Sequence, residues 1–140
     1  MNAKTNSIHH HYKTHGVIDF YKQFGSSYRN PHEEDLTFLL LKTIREFNLN
    51  INSVLDLACG SGEITLPLLR QSGKVDGIDP YTGVAYMTRA GQCAESLTFD
   101  DIIQGALENR RYSLIVCSYA FHLVEVTKQP LLSYRLTELS

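Results

Sequence analysis

The chain has no tryptophan, only two methionines and four prolines among its 140 residues. No apolar run reaches the roughly 20 residues that span a bilayer, and the polar, histidine-rich start has no signal-peptide pattern. The three cysteines, Cys59, Cys93 and Cys117, are odd in number and widely spaced, which argues against a disulfide framework. No pair stands at C-x-x-C spacing, so no zinc or other metal site is expected from them. Free thiols point to a reducing, cytoplasmic setting. A dominant charge is missing too. Thirteen Lys and Arg oppose fifteen Asp and Glu, a net charge of −2, which disfavours non-specific binding to nucleic acid or to an anionic membrane.

What is present suits one globular domain. The length is that of a single domain, and 43% hydrophobic residues can fill a core. Residues 1–16 read as a flexible polar arm, and 17–140 as the domain. The run His9-His10-His11 is either a metal-binding cluster or, more simply, part of that solvated arm. Residues 17–24 have apolar positions at helical spacing and stop at Gly25. A loop ending in Asn30-Pro31 leads to a longer helix over 32–48. Glu33, Glu34 and Asp35 in its first turn complement the helix dipole. Leu36, Leu39, Leu40, Ile44 and Phe47 form its apolar stripe.

The rest of the chain is organised around Val54-Leu55-Asp56-Leu57-Ala58-Cys59-Gly60-Ser61-Gly62. An apolar strand, 51–57, runs into a turn of small residues, and a helical segment, 63–72, follows at once with Pro67 inside it. Glycines let a ligand approach the backbone, and a helix start presents unpaired N–H groups. Asp56 at the strand's mouth would repel a pyrophosphate but attract an ammonium group.

Further strands are predicted over 74–79, 95–99 and within 112–121, with helical stretches over 84–90, 102–108 and 127–139, the last with Pro130 near its start. Asp79 lies a little over twenty residues past the start of the turn, where nucleotide-binding α/β folds place an acid that accepts two hydrogen bonds from ribose hydroxyls; the plainer reading is a strand-end turn residue. Pro80 and Tyr81 follow, Tyr81 as a ring for the adenine face. The fourth strand is nearly all apolar, as for burial on both faces, and Ser118 and Tyr119 emerge at its carboxyl end.

An acid followed by a glycine turn, then Asp79, then Asp100-Asp101-Ile102, then the strand ending before His122, resembles the ordered motifs of class I S-adenosylmethionine (SAM)-dependent methyltransferases of the small-molecule type. Ala58 stands where the family carries its first glycine. The resemblance covers about residues 17–140 and implies a Rossmann-like, doubly wound, mostly parallel α/β sheet with N-terminal helices. It implies SAM as cofactor, held by Asp56, Ala58, Cys59, Gly60, Gly62, Asp79, Pro80, Tyr81, Asp101, Ile102 and Ser118. Asp101 with Ile102 would hold the adenine, Asp100 less well, although either acid also suits a helix cap. Tyr21, Tyr28 and Arg29 are lid candidates, or else packing and surface residues. His122 is the candidate general base, against the reading of an ordinary structural histidine.

The acceptor implied is a small molecule, since the Asn/Asp-Pro-Pro-Tyr/Phe motif of base-amino methyltransferases is absent. The family has seven strands in the order 3-2-1-4-5-7-6, and four are supplied here. The expectation is a domain incomplete at its C-terminus, with the fourth strand an open apolar edge through which two copies could pair. Two rivals remain. One is a non-catalytic SAM-binding module that regulates or scaffolds a partner. The other is a nicotinamide-dependent oxidoreductase, disfavoured because Thr65 fills the last glycine position of G-x-G-x-x-G.

Overall fold

The computed structural model describes residues 24–71, 73–118 and 120–140. The expected N-terminal arm, nearly all of the first helix, and Tyr21 and Tyr119 lie outside the described residues. Within them the architecture is α/β and Rossmann-like, with five helices flanking a parallel sheet. The elements are α1 (Glu33–Phe47), β1 (Val54–Leu57), α2 (Thr65–Arg70), β2 (Val75–Ile78), α3 (Gly83–Ala90), α4 (Phe99–Ile103), β3 (Leu114–Cys117) and α5 (Gln129–Leu139). One-turn 3-10 helices cover Gly25–Ser27 and Phe121–Leu123.

The sheet order is β2-β1-β3, all parallel, with Asp56 opposite Gly77 on one side and Val116 on the other. β1 is central and wholly buried. Strand alternation divides its side chains between two cores. Leu55 and Leu57 join Ile78, Ile102, Leu107 and Leu132 on the face covered by α4 and α5. Val54 joins Leu36, Leu40, Ile64, Leu68 and Val75 on the face covered by α1 and α2. Asp56, two residues from Val54, therefore points toward α2.

Helix boundaries follow local chemistry. α1 keeps its acidic first turn and ends at Asn48 in the left-handed conformation, whose N–H donates to the Ile44 carbonyl. Pro67 falls in the first turn of α2, where its missing N–H costs little. Pro130 likewise opens α5.

Two expectations need correction. Residues 95–99 do not form a strand; only Glu95 pairs, bridging Ile78 in parallel on the outer side of β2. The chain turns helical at Phe99 because Thr98 and Asp101 form a reciprocal capping box, so α4 also starts three residues ahead of the predicted 102. β3 is only half-buried along its length, not buried on both faces, since β1 is its one sheet neighbour among the described residues.

Candidate functional site

A cavity of about 310 Å³ opens at the carboxyl ends of the strands. The connection from β1 to β2 goes one way and the chain then returns to place β3 on the other side of β1. That reversal is where open α/β sheets form a ligand crevice, because neighbouring loops diverge there.

The turn after β1 forms one wall. Ala58 has φ +57 and Gly60 φ +57, so both sit in the left-handed region that favours glycine. A side chain at Gly60 would meet the Tyr28 ring at 2.9 Å. Tyr28 closes the cavity at this point and carries the segment before α1 onto the turn.

Asp79 forms the opposite wall at the end of β2. Its carboxylate accepts from the backbone N–H of Gly60 (3.2 Å), Tyr81 (2.8 Å) and Thr82 (3.2 Å). Three of its roughly four acceptor sites are thereby used. Oδ2 takes only one of the three, so it keeps capacity for a ligand hydroxyl. Burial raises its pKa above the ordinary value, while the hydrogen bonds from Tyr81 and Gly60 pull the other way. Asp79 therefore both shapes the turn and lines the cavity.

The structure brings Ala58, Gly60, Asp79, Pro80, Tyr81 and Ser118 together on this cavity. It does not bring Asp56 there. Asp56 is fully buried behind the turn, accepting from the Thr65 hydroxyl at 2.7 Å. Thr65 also hydrogen-bonds to the Tyr86 hydroxyl at 3.0 Å, and Gln92 donates to that hydroxyl at 2.9 Å. Asp56 Oδ1 has no hydrogen-bond partner among the described residues. Burial above all, and then the charges of Glu63 and Asp79, push its pKa up to about 7 against the Thr65 hydrogen bond.

Cys59 and Gly62 also stand off the cavity. The Cys59 N–H donates to the Ile78 carbonyl and its side chain is buried, which raises the thiol pKa. Gly62 faces Tyr86 and Ala90 of α3. Asp101 and Ile102 also lie off the cavity lining. Asp101 accepts the Thr98 N–H at 2.8 Å as a cap, and Ile102 is core. The cavity is lined one helical step earlier, by Thr98, Phe99 and Asp100, with Asp100 paired to Lys128 at 3.1 Å. His122 is exposed and outside the lining, while Leu123 and Val124 face inward.

Several lining residues went unseen in the sequence. Thr98 and Phe99 fall in a stretch that reads as a strand, and the capping signature Thr98-x-x-Asp101 is the signal for the helix instead. Lys128, at the start of α5, had none, because it reaches the cavity only through tertiary packing.

A family model described as a methyltransferase domain matches residues 54–136. An uncharacterized protein of Schizosaccharomyces pombe is 30% identical over 151 residues, 78% of this chain. The chain spans 61% of the length of that curated relative. Among solved structures, magnesium protoporphyrin IX methyltransferase from Synechocystis PCC 6803, with bound SAM, superposes with a TM-score of 0.57 at 16% identity, over 100% of this chain and 74% of the other. That likeness concerns the fold alone.

Proposed function

The chain belongs to the methyltransferase domain family, and on that premise we propose that it transfers a methyl group from SAM to a small-molecule acceptor. The observation that carries this reading is the cavity itself. It lies at the carboxyl ends of parallel strands, between a left-handed turn that brings backbone close and an acid at the end of β2.

The residues present fit the cofactor's adenosyl part. Asp79 has an acceptor site left for a ribose hydroxyl. Tyr81, Leu97 and Phe99 offer flat or apolar surface for a base, and Asp100 beside them is an acceptor for an exocyclic amine. The lining carries Asp79, Asp100 and Glu125 against Lys128, an excess of acid that suits a ligand bearing a sulfonium and an ammonium.

When bound, the cofactor would supply an activated methyl group: the acceptor's nucleophilic atom bonds to the methyl carbon as the carbon–sulfur bond breaks, the neutral thioether S-adenosylhomocysteine leaves with the electron pair, and the acceptor's proton passes to solvent. The protein's part is to hold the acceptor in line and keep water out, so positioning supplies most of the rate. Leu123, Val124 and Ala120 form the apolar side of the cavity, where an acceptor would be shielded.

The placement of His122 outside the lining favours one second reading, a SAM-binding module without catalysis. Both readings predict cofactor binding; only the first predicts turnover.

Calorimetric titration with SAM, S-adenosylhomocysteine and NAD tests the shared part. Heat with both adenosyl ligands and none with NAD is expected. Asp79→Asn turns one accepting oxygen into a donor and should weaken binding by about tenfold or more. Equal affinity for NAD, or no effect of the substitution, would remove the proposal. Methyl transfer to a panel of small acceptors then separates enzyme from module.

A further inference from the structure

A polar cluster joins the segment before α1 and the first turn of that helix to the glycine turn, and it lies outside the cavity lining. The Asn30 N–H donates to Glu63 Oε1 at 3.0 Å, and the Ser61 hydroxyl donates to the same oxygen at 2.5 Å. Arg89 on α3 donates to the Ser61 hydroxyl at 3.1 Å and, through its other terminal nitrogen, to Glu33 at the start of α1. Glu33 also pairs with Arg29 at 2.9 Å. Three separate parts of the chain, residues 29–33, 61–63 and 89, thus meet in one network.

The network's position matters more than its strength. α1 is already anchored to the sheet by Leu36 and Leu40. The stretch before it, 25–31, packs through Gly25–Ser27 against α3, bonds to Glu63 through Asn30 and brings Tyr28 onto the cavity, with two close approaches to the cavity wall. Gly25 sits against the Tyr81 backbone, where an added Cβ would lie 2.1 Å from the Tyr81 oxygen, and the Tyr28 ring sits on Gly60. Both of those partners line the cavity. The ion pairs hold the base of this stretch where it joins α1.

The Arg89 and Glu33 side chains are 19% and 24% exposed, so their attraction is only partly screened. Burial opposes the Glu33 charge, yet the hydrogen bonds and charges of Arg89 and Arg29 outweigh it and hold its pKa below the ordinary value.

Resting on the reading of the cavity as the SAM site, we propose that Glu33 and Arg89 are positioning residues that clasp Tyr28 over the glycine turn and so set how long the cofactor stays bound. They touch no ligand and act through Tyr28. Their loss should speed release while leaving the cavity floor, and hence entry, nearly unchanged.

The experiment measures association and dissociation rates of S-adenosylhomocysteine by stopped flow on the full chain. Arg89→Gln should raise the dissociation rate about tenfold, with the association rate within about a factor of two. Arg89→Lys keeps the charge but loses the two-pronged contact, and should fall between. The double variant Glu33→Gln/Arg89→Gln should be no faster than Arg89→Gln, because the pair acts as one unit. Tryptic cleavage after Arg29 should accelerate in parallel. If Arg89→Gln does not fold, Arg89→Lys and Glu33→Gln carry the same comparison. Binding by the parent with parent-like dissociation in every folded variant overturns the clasp alone. No binding by the parent overturns the cofactor reading and the clasp with it.

Discussion

Two residues beside the cavity are held in costly states. Asp56 is a carboxyl buried without a cation beside it among the described residues, and its pKa of about 7 contrasts with 3.8 for the ordinary group. Between those values the native state keeps a proton that the unfolded chain has released. Stability is therefore highest below about pH 4 with respect to this group, falls as pH rises toward 7, and stays reduced above it. Asp56→Asn keeps an acceptor for Thr65 and removes the titration. Thermal or denaturant melts across pH 4–9 should show a gain that grows through this window, reaching up to ~4 kcal/mol at alkaline pH. A constant offset at every pH would mean that Asp56 titrates normally. Ala58 is the second case. A left-handed alanine is strained by roughly 1–2 kcal/mol, and glycine relieves this while costing more entropy on folding. Ala58→Gly should raise stability by up to ~1 kcal/mol and leave adenosyl-ligand binding intact, as measured by denaturation and calorimetry.

At the scale of elements, short helices depend on their ends. α4 has five residues and a complete capping box, with Thr98 accepting from the Asp101 N–H at 3.1 Å and Asp101 accepting from Thr98 at 2.8 Å. Intrinsic propensity cannot hold so short a helix, so the cap and the burial of Ile102 must. The cap also leaves Asp100, not Asp101, on the cavity lining. Thr98→Ala should cost ~0.5–2 kcal/mol by denaturation and should weaken S-adenosylhomocysteine binding, because Phe99 and Asp100 lose their support on the cavity wall. Stability loss with unchanged binding would separate the helix from the site. The turn after β1 obeys the same logic. Gly60 is left-handed and its N–H is held by Asp79, so the loop's shape is set by a residue nineteen positions away.

At the scale of the molecule, the parallel order β2-β1-β3 places a reversal of winding over β1 and opens the cavity there. Much of this was legible in the chain. The apolar strand feeding a small-residue turn, the acid after the second strand and the helical stripe of α1 are local patterns, and they fixed the α/β class, the glycine turn and Asp79 because each rests on neighbours in sequence. Other features required the fold. Asp56 looked like a ligand residue until strand alternation turned it toward Thr65. Asp101 looked like an adenine acceptor until the cap claimed it. His122 followed the strand as expected, but the 3-10 turn of Phe121–Leu123 left it exposed and aimed Leu123 inward. Lys128 and the Glu33–Arg89 pair join residues far apart in sequence, at positions with no local signature. The sequence by itself determined most of the elements and their order, the stretch 95–99 excepted, since periodicity and turn chemistry act over a few residues. Only the tertiary structure decided which polar groups face the cavity, because a buried carboxylate goes to whichever hydrogen-bond donors the packed chain brings within about 3 Å.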